Sequence, residues 1–465
     1  MYGYHRRVQK LRNVLRRTFR LRRLRPGQQE VIDSVLARRD TLAIMPSGAG
    51  KSLCYQLPAL HMRGTTIVVS PLIALMKDQS DKLAKRGVAA AKVNSAVNAR
   101  ELREAMRLIR SSKADFIFTT PEQLANPDVL EKLKANPIDL FVVDEAHCIT
   151  QWGHDFRPAY SALGAALRAL GNPTLLALTA TATPDVIEDI ARQLGRPRMR
   201  VLNAGVYRPN LFFEVVQTTN EAEKKQAMLD VVRSGGAGIV YCATVRAANA
   251  VHAWLSKQGE KPELYHGRLG ARERTERQDA FMSGQARTMV ATNAFGMGID
   301  RPDIRYVLHY QLPGSLEAYY QEAGRAGRDG KEARCTLLYD HGDRKVQLYF
   351  ARKRSKVETM AMYARSTQCR WKMILEYFDE EVESGDECGA CDNCVQRSAD
   401  ASAITMRIKP QPPRMRKGDA VRVPKYGPGT VAEVHDDRIA VSFKNGETRD
   451  FAPRYVAPIN KKADK

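Results

Sequence analysis

The sequence lacks any apolar run approaching the roughly 18 residues that a membrane-crossing helix needs, so no helical span is expected. Acidic residues are missing from His5 through Arg25, where arginine is abundant. That composition suits an organelle transit peptide. Against it, helix-spaced Leu11, Val14 and Leu15 run straight into a motif further on. Cysteine pairs spread along the chain are missing too. Four cysteines are scattered (Cys54, Cys148, Cys242, Cys335) and four crowd between 369 and 394. This pattern argues against a secreted disulfide scaffold, and for a reduced cytoplasmic setting with one metal cluster.

What is present is a chain of 465 residues, long enough for two to four domains that each bury a core. Hydrophobic residues make up 43% and charged residues 27%, a globular balance. The formal net charge of +22 attracts polyanions, nucleic acid first among them, although a basic surface kept for solubility has the same composition.

The most informative stretch is Leu42–Gln56, LAIMPSGAGKSLCYQ. A short apolar strand leads into a turn of small residues, and Lys51-Ser52 opens a helical pattern. Glycines Gly48 and Gly50 let backbone N–H groups close around phosphate oxygens. Lys51 adds charge at the β- and γ-phosphates, and the Ser52 hydroxyl ligates Mg²⁺. The full pattern wants a further glycine where Met45 stands. Buried-strand runs recur at Leu42–Met45, Thr66–Ser70, Phe116–Thr119, Leu140–Val143 and Leu175–Thr179. Strands alternating with helical stretches predict a parallel, doubly wound α/β sheet with its ligands beyond the strand carboxyl ends. Asp144-Glu145 falls at such an end. Asp144 is suited to hold the Mg²⁺ shell and Glu145 to orient and deprotonate water; taken alone, the pair also reads as a helix cap.

Together, GAGKS, SPLIALMKDQ at 70–79, DEAH at 144–147 and TATAT at 179–183 resemble a superfamily-two helicase. Leu24-Arg25-Pro26-Gly27-Gln28, MPSGAGKSLCYQLPA at 45–59 and DEAHCITQWGHDFRPAY at 144–160 narrow the resemblance to the RecQ family. It implies ATP as fuel, with Gln28 reading the adenine edge and Arg25 supporting the pocket. The family's aromatic-glycine pair reads Phe19-Arg20 here. Trp152, His154, Phe156 and Arg157 resemble the family's aromatic-rich loop and imply DNA coupling; bases stack on such aromatics. Trp152 and Phe156 also have the spacing of two core residues at a helix start.

Tyr207-Arg208-Pro209-Asn210 reads as a linker to a second α/β unit, with strands at Ile239–Cys242, Thr288–Thr292 and Tyr306–Tyr310. Arg325 and Arg328, three apart, are expected on one helix face, where a guanidinium brought across the cleft stabilises phosphoryl charge. Solvated helix arginines are the plainer reading. By resemblance, Arg328 is the arginine finger, and Gly298 and Asp300 couple DNA grip to nucleotide state. Ser70, Thr120 and His266-Gly267-Arg268 are expected to face the strand.

Cys369, Cys388, Cys391 and Cys394 suit tetrahedral Zn²⁺ in an exposed knuckle, with an iron–sulfur cluster open by spacing alone. The segment resembles the RecQ zinc-binding subdomain. Beyond it, Ala420–Val423, Thr430–His435, Ile439–Phe443 and Thr448–Phe451 alternate as strands, and Lys444-Asn445-Gly446-Glu447 signals a two-residue hairpin. The module resembles the Tudor-like end of UvrD-type helicases. It suits a protein partner or a nucleic-acid clamp, and it leaves no place for the family's winged helix.

The expected fold is thus α/β: two RecA-like parallel-sheet motor domains (1–205 and 206–345), a helical zinc-knuckle subdomain (346–400), a linker (401–415) and a small β-barrel (416–460). The expected function is an ATP-dependent DNA helicase or translocase of recombination and repair. The resemblance implies 3′→5′ movement on single-stranded or 3′-tailed DNA, with Mg²⁺ and Zn²⁺. An RNA helicase and a non-catalytic, ATP-switched scaffold are the alternatives.

Overall fold

The computed structural model describes residues 2–150, 157–296, 301–350, 354–380, 387–398, 415–424, 426–435, 438–451 and 456–458. Residues 1–395 form one compact unit and 396–465 a second.

The first sheet contains β1 (Thr41–Ile44), β2 (Thr65–Val69), β3 (Ala90–Val93), β4 (Phe116–Thr119), β5 (Ile138–Val143), β6 (Thr174–Thr179) and β7 (Arg200–Asn203). Their order is β3-β4-β2-β5-β6-β1-β7, with every pair parallel. Valine, leucine, isoleucine and phenylalanine fill β1, β2, β4 and β6, which are buried along their whole length because helices cover both faces. The edge strands β3 and β7 escaped sequence reading for the converse reason. Half of β3 and nearly all of β7 meet solvent, so neither carries an apolar run.

The second sheet contains β8 (Leu211–Gln217), β9 (Ala237–Tyr241), β10 (Glu263–Tyr265), β11 (Thr288–Ala291), β12 (Ile304–His309) and β13 (Ala333–Tyr339), in the order β10-β11-β9-β12-β13-β8. It too is parallel throughout. In β8 the apolar run is interrupted by Glu214, which is buried and satisfied by Arg334 at 2.7 Å and Thr336 at 2.5 Å on β13. The helices Arg354–Arg365 and Arg370–Tyr377 share one apolar core with this sheet: Trp371, Cys391 and Cys394 pack with Phe213 and Tyr319. Phe213 even forms an isolated bridge with Cys391. The cysteine segment is therefore built into the second half, whereas the sequence suggested an exposed knuckle.

The second unit holds an antiparallel sheet of β14 (Ala420–Val423), β15 (Gly427–Val434), β16 (Ile439–Phe443), β17 (Thr448–Phe451) and β18 (Ala457–Pro458), ordered β17-β16-β15-β14-β18. These five short antiparallel strands make up the small β module expected after the linker; among the described residues no pairing joins β17 to β18. The module's hairpin differs from the two-residue form expected. Phe443 donates its N–H to Glu447 and accepts from Gly446, leaving a three-residue loop of Lys444, Asn445 and Gly446. Gly446 has φ +84°, the left-handed residue that follows a type I turn, so the Asn-Gly pair sits one position later than a two-residue hairpin requires.

Candidate active site and metal centre

Four segments leave the carboxyl ends of neighbouring strands in the first sheet and converge. After β1 the chain turns through Pro46–Gly50 into the helix Lys51–Ala59. Gly48 (φ +85°) and Gly50 (φ +82°) occupy the left-handed region, and a Cβ on Gly50 would stand 2.6 Å from Gln28 Nε2. Glycine is therefore required twice. Met45, in place of the missing first glycine, is fully buried, and its N–H donates to Thr179 on β6 at 3.0 Å. The turn is anchored to the sheet at the point where the usual pattern supplies flexibility. Lys51 Nζ lies 3.4 Å from the Met45 carbonyl, over the loop.

Gln28 is 2% exposed. Its Nε2 donates to the carbonyls of Ala49 (2.9 Å) and Gly50 (3.0 Å), while its Oε1 accepts from Arg25 N–H at 2.8 Å. Arg25 Nη1 donates to the Gly48 carbonyl. Both residues thus clasp the loop's backbone. Phe19 is buried at the same cleft with the Arg86 guanidinium 5.1 Å above its ring, an aromatic contact the sequence did not disclose. Arg20 has φ +57°, so the position where the family pair has glycine does need left-handed backbone here.

Asp144 ends β5. Its N–H donates to the Val69 carbonyl at 2.8 Å, and the Ser70 hydroxyl donates to its carboxylate at 3.4 Å. Ser70 is buried, and Thr120 is buried as the cap of a short helix. His266 is likewise buried, while Gly267 and Arg268 are exposed. Burial, and next the neighbouring Glu145 charge, raise the Asp144 pKa to about 7, with Lys51 opposing. A buried carboxylate short of positive charge is a fitting ligand for a divalent cation, and the Ser52 hydroxyl lines the same cleft. Glu145 adopts φ +50° and opens the short 3₁₀ turn Ala146–Ile149. Its carboxylate lies 3.5 Å from His147 Nδ1, which lies 3.1 Å from the Thr179 hydroxyl. Thr179 donates to the Thr181 carbonyl at 2.9 Å, and the Thr181 hydroxyl reaches Gln321 Nε2 of the second half at 3.5 Å. This relay from the acid to the opposite wall was invisible residue by residue. Its only sequence signal was that DEAH and TATAT occur together.

The opposite wall carries both arginines, but on a turn and not on a helix face. The helix Leu316–Ala323 ends at Gly324, and turns continue through Arg325–Asp329, with Gly327 in the left-handed region (φ +55°). Arg325 is 8% exposed and donates through Nη1 to the Gly296 carbonyl; its buried Nε has no hydrogen-bond partner among the described residues. Arg328 lies against the phosphate-binding loop: a Cβ on Gly48 would stand 3.3 Å from Arg328 Cγ. Lys51, Ser52, Asp144, Glu145, Arg325 and Arg328 all line one cleft of about 730 Å³. Trp152, His154, Phe156, Gly298 and Asp300 lie outside the described residues. Arg157 is described, and its N–H donates to the Cys148 carbonyl at 3.0 Å.

The sulfurs of Cys369, Cys388, Cys391 and Cys394 lie within 4.8 Å of one another, with Cys388 and Cys394 at 3.9 Å. A tetrahedral Zn–S distance of about 2.3 Å implies S–S separations near 3.8 Å, so the four fit that metal. Backbone N–H groups of Ala390 (3.3 Å) and Arg370 (3.4 Å) point at Cys388 and Cys391, as suits thiolates. Elsewhere burial pushes the Cys54 and Cys335 thiols up to about 12, leaving them inert.

Three family models match in succession: DEAD/DEAH box helicase over residues 25–190, helicase conserved C-terminal domain over 223–330, and RecQ zinc-binding over 338–395. The ATP-dependent DNA helicase RecQ of Bacillus subtilis is 40% identical over 407 residues, covering 84% of this chain and 68% of that one. The probable ATP-dependent DNA helicase RecS of the same organism is 45% identical, covering 73% and 68%. Among solved structures, Mycobacterium smegmatis helicase Lhr bound to ssDNA and AMP-PNP aligns with TM-score 0.59 at 22% identity, covering 75% of this chain and 49% of that one. That likeness is one of fold.

Proposed function

The chain belongs to the RecQ family of ATP-dependent DNA helicases, and from that premise we propose that it moves 3′→5′ along single-stranded DNA with the cleft residues in distinct roles. It is an ATP-hydrolysing DNA helicase that uses ATP with Mg²⁺ and binds structural Zn²⁺. In the proposed mechanism Ser52 and Asp144 hold Mg²⁺, which neutralises phosphate charge when bound. The backbone of Gly48–Ser52 and the Lys51 ammonium cradle the β- and γ-phosphates. Glu145 orients the attacking water and accepts its proton, held in place through His147. Arg328 meets the γ-phosphate from the opposite wall and stabilises the charge of the transition state. Arg325 tethers its turn to the Gly296 segment. Arg25 and Gln28 join the adenine side to the loop, and Gly298 and Asp300 couple DNA grip to nucleotide state.

The observation that carries this reading is the contact of the Arg328 side chain with Gly48, because it joins the two halves where phosphate is expected. DNA coupling through Trp152, His154, Phe156 and Arg157 and a preference for 3′ tails belong to the same proposal. So does a cytoplasmic setting, supported by eight cysteines without a disulfide. A protein partner at the C-terminal sheet is supported by the exposure of Tyr426 and Val434 there. Glu145→Gln tests the chemistry: DNA-stimulated turnover is expected to fall by about 10²-fold or more with ATP affinity kept. Turnover within a few-fold of wild type would remove Glu145 from its role.

A further inference from the structure

Between the two sheets the chain passes through Tyr207-Arg208-Pro209-Asn210. Arg208 is 8% exposed, and no carboxylate among the described residues pairs with it. Its partners are main-chain carbonyls. Nη1 donates to Gly324 at 2.7 Å, and Nη2 donates to Ala326 at 2.8 Å and Gly327 at 2.7 Å. Asn210 Nδ2 donates to the carbonyls of Gly327 and Lys331, each at 2.9 Å. Two side chains therefore gather the backbone from 324 to 331, which is the turn that carries Arg325 and Arg328.

The fit is close on both sides of that turn. A Cβ on Gly327 would approach Asn210 Nδ2 at 2.4 Å and the Lys331 carbonyl at 2.7 Å. Facing the other half, a Cβ on Gly324 would lie 3.4 Å from Ser47 Cβ, and the Arg328 side chain lies over Gly48. Burying a guanidinium with no carboxylate in direct contact, and only the more distant Asp329 charge to favour it, is costly, so a merely space-filling role would favour a neutral residue. A rigid fork of donors suits converging carbonyls as a flexible ammonium does not.

We propose that Arg208, seconded by Asn210, is a positioning residue for ATP hydrolysis. It shapes the 324–328 turn so that Arg328 meets the phosphate-binding loop across the cleft. The inference rests on the reading of Arg328 given above. Arg208 acts through the backbone of the turn, and misplacing a charge-stabilising group by about 1 Å is enough to cost about 10²-fold in rate.

The test uses the full chain as Arg208→Gln, Arg208→Lys and Asn210→Ala, with Arg328→Ala alongside. ATP turnover is measured with single-stranded DNA, nucleotide affinity with a fluorescent non-hydrolysable ATP analogue, and folding by melting. The expected result is a kcat about tenfold lower in Arg208→Gln, with smaller losses in Arg208→Lys and Asn210→Ala. KM for ATP and analogue affinity stay within about threefold. If Arg208→Gln does not fold, the two milder variants decide. Full kcat in folded Arg208→Lys and Asn210→Ala overturns the proposal, as does a kcat loss matched by equal loss of analogue binding. Arg328→Ala separates the two readings. If it keeps full turnover, the assignment of Arg328 has failed. If it loses turnover while the Arg208 and Asn210 variants keep theirs, only the positioning role has failed.

Discussion

Asp144 is a carboxylate held where ionisation is costly. Its folded pKa of about 7 lies above the ordinary carboxylate value, so the folded, nucleotide-free protein holds this proton more tightly than the unfolded chain does. The sign follows: this group's contribution to stability falls as pH rises from about 4 to 7. In the proposed Mg²⁺ site Asp144 is ionised, so magnesium–ATP binding near pH 6.5 is expected to expel a proton. Calorimetry in two buffers of different ionisation enthalpy reads the number directly. Release approaching one proton at pH 6.5 and vanishing near pH 8.5 is the prediction; no release at either pH would contradict it. Arg20 is the other instructive residue. It holds φ +57° at the end of the helix Tyr2–Arg17, where the Leu21 N–H returns to the Leu15 carbonyl at 3.1 Å. Arg20→Gly is expected to raise stability by about 0.5–1 kcal/mol in denaturant titration, since glycine adopts that backbone freely. A loss of stability would show that the exposed arginine contributes more than its backbone costs.

Among the elements, those whose chemistry is contiguous in the chain were legible. The loop Gly48–Ser52, the pair Asp144-Glu145 and the cysteine spacing each place the side chains proposed to act within a few residues. Elements that act through main chain or across the fold were not. Arg208 reads as a linker residue because its partners are carbonyls more than a hundred residues away. The arginine turn was misread because a three-residue spacing suggests a helix, while the left-handed backbone at Gly327 does not continue one. Strands β3 and β7 were missed because edges lack apolar runs. The cysteine segment was taken as peripheral because acidic residues surround it in sequence, yet Cys391 and Cys394 are fully buried with Trp371. Metal removal should therefore reach the second sheet. Chelation is expected to remove about one zinc per chain and lower the melting temperature by several degrees. Iron with brown colour, or an unchanged melt after metal loss, would contradict this.

At the scale of the whole molecule, two parallel sheets meet at a cleft to which each contributes charged groups the other lacks. The first supplies the phosphate loop and the acids. The second supplies the arginines, held in place by a linker that belongs to neither sheet. The relay Glu145–His147–Thr179–Thr181–Gln321 and the contact of Arg328 with Gly48 join the two halves; with the roles proposed for Glu145 and Arg328, hydrolysis is expected to depend on how the halves meet, which is what a motor needs. The net charge of +22 supplies a salt-dependent hold on a phosphate backbone. The most direct measurement is ATP-driven strand displacement on duplexes bearing either a 3′ or a 5′ single-stranded tail, comparing wild type with Arg328→Ala. Opening of the 3′-tailed duplex alone, lost in Arg328→Ala, is the predicted result. Opening from the 5′ tail, or displacement that survives in Arg328→Ala, would contradict a 3′→5′ motor powered across this cleft.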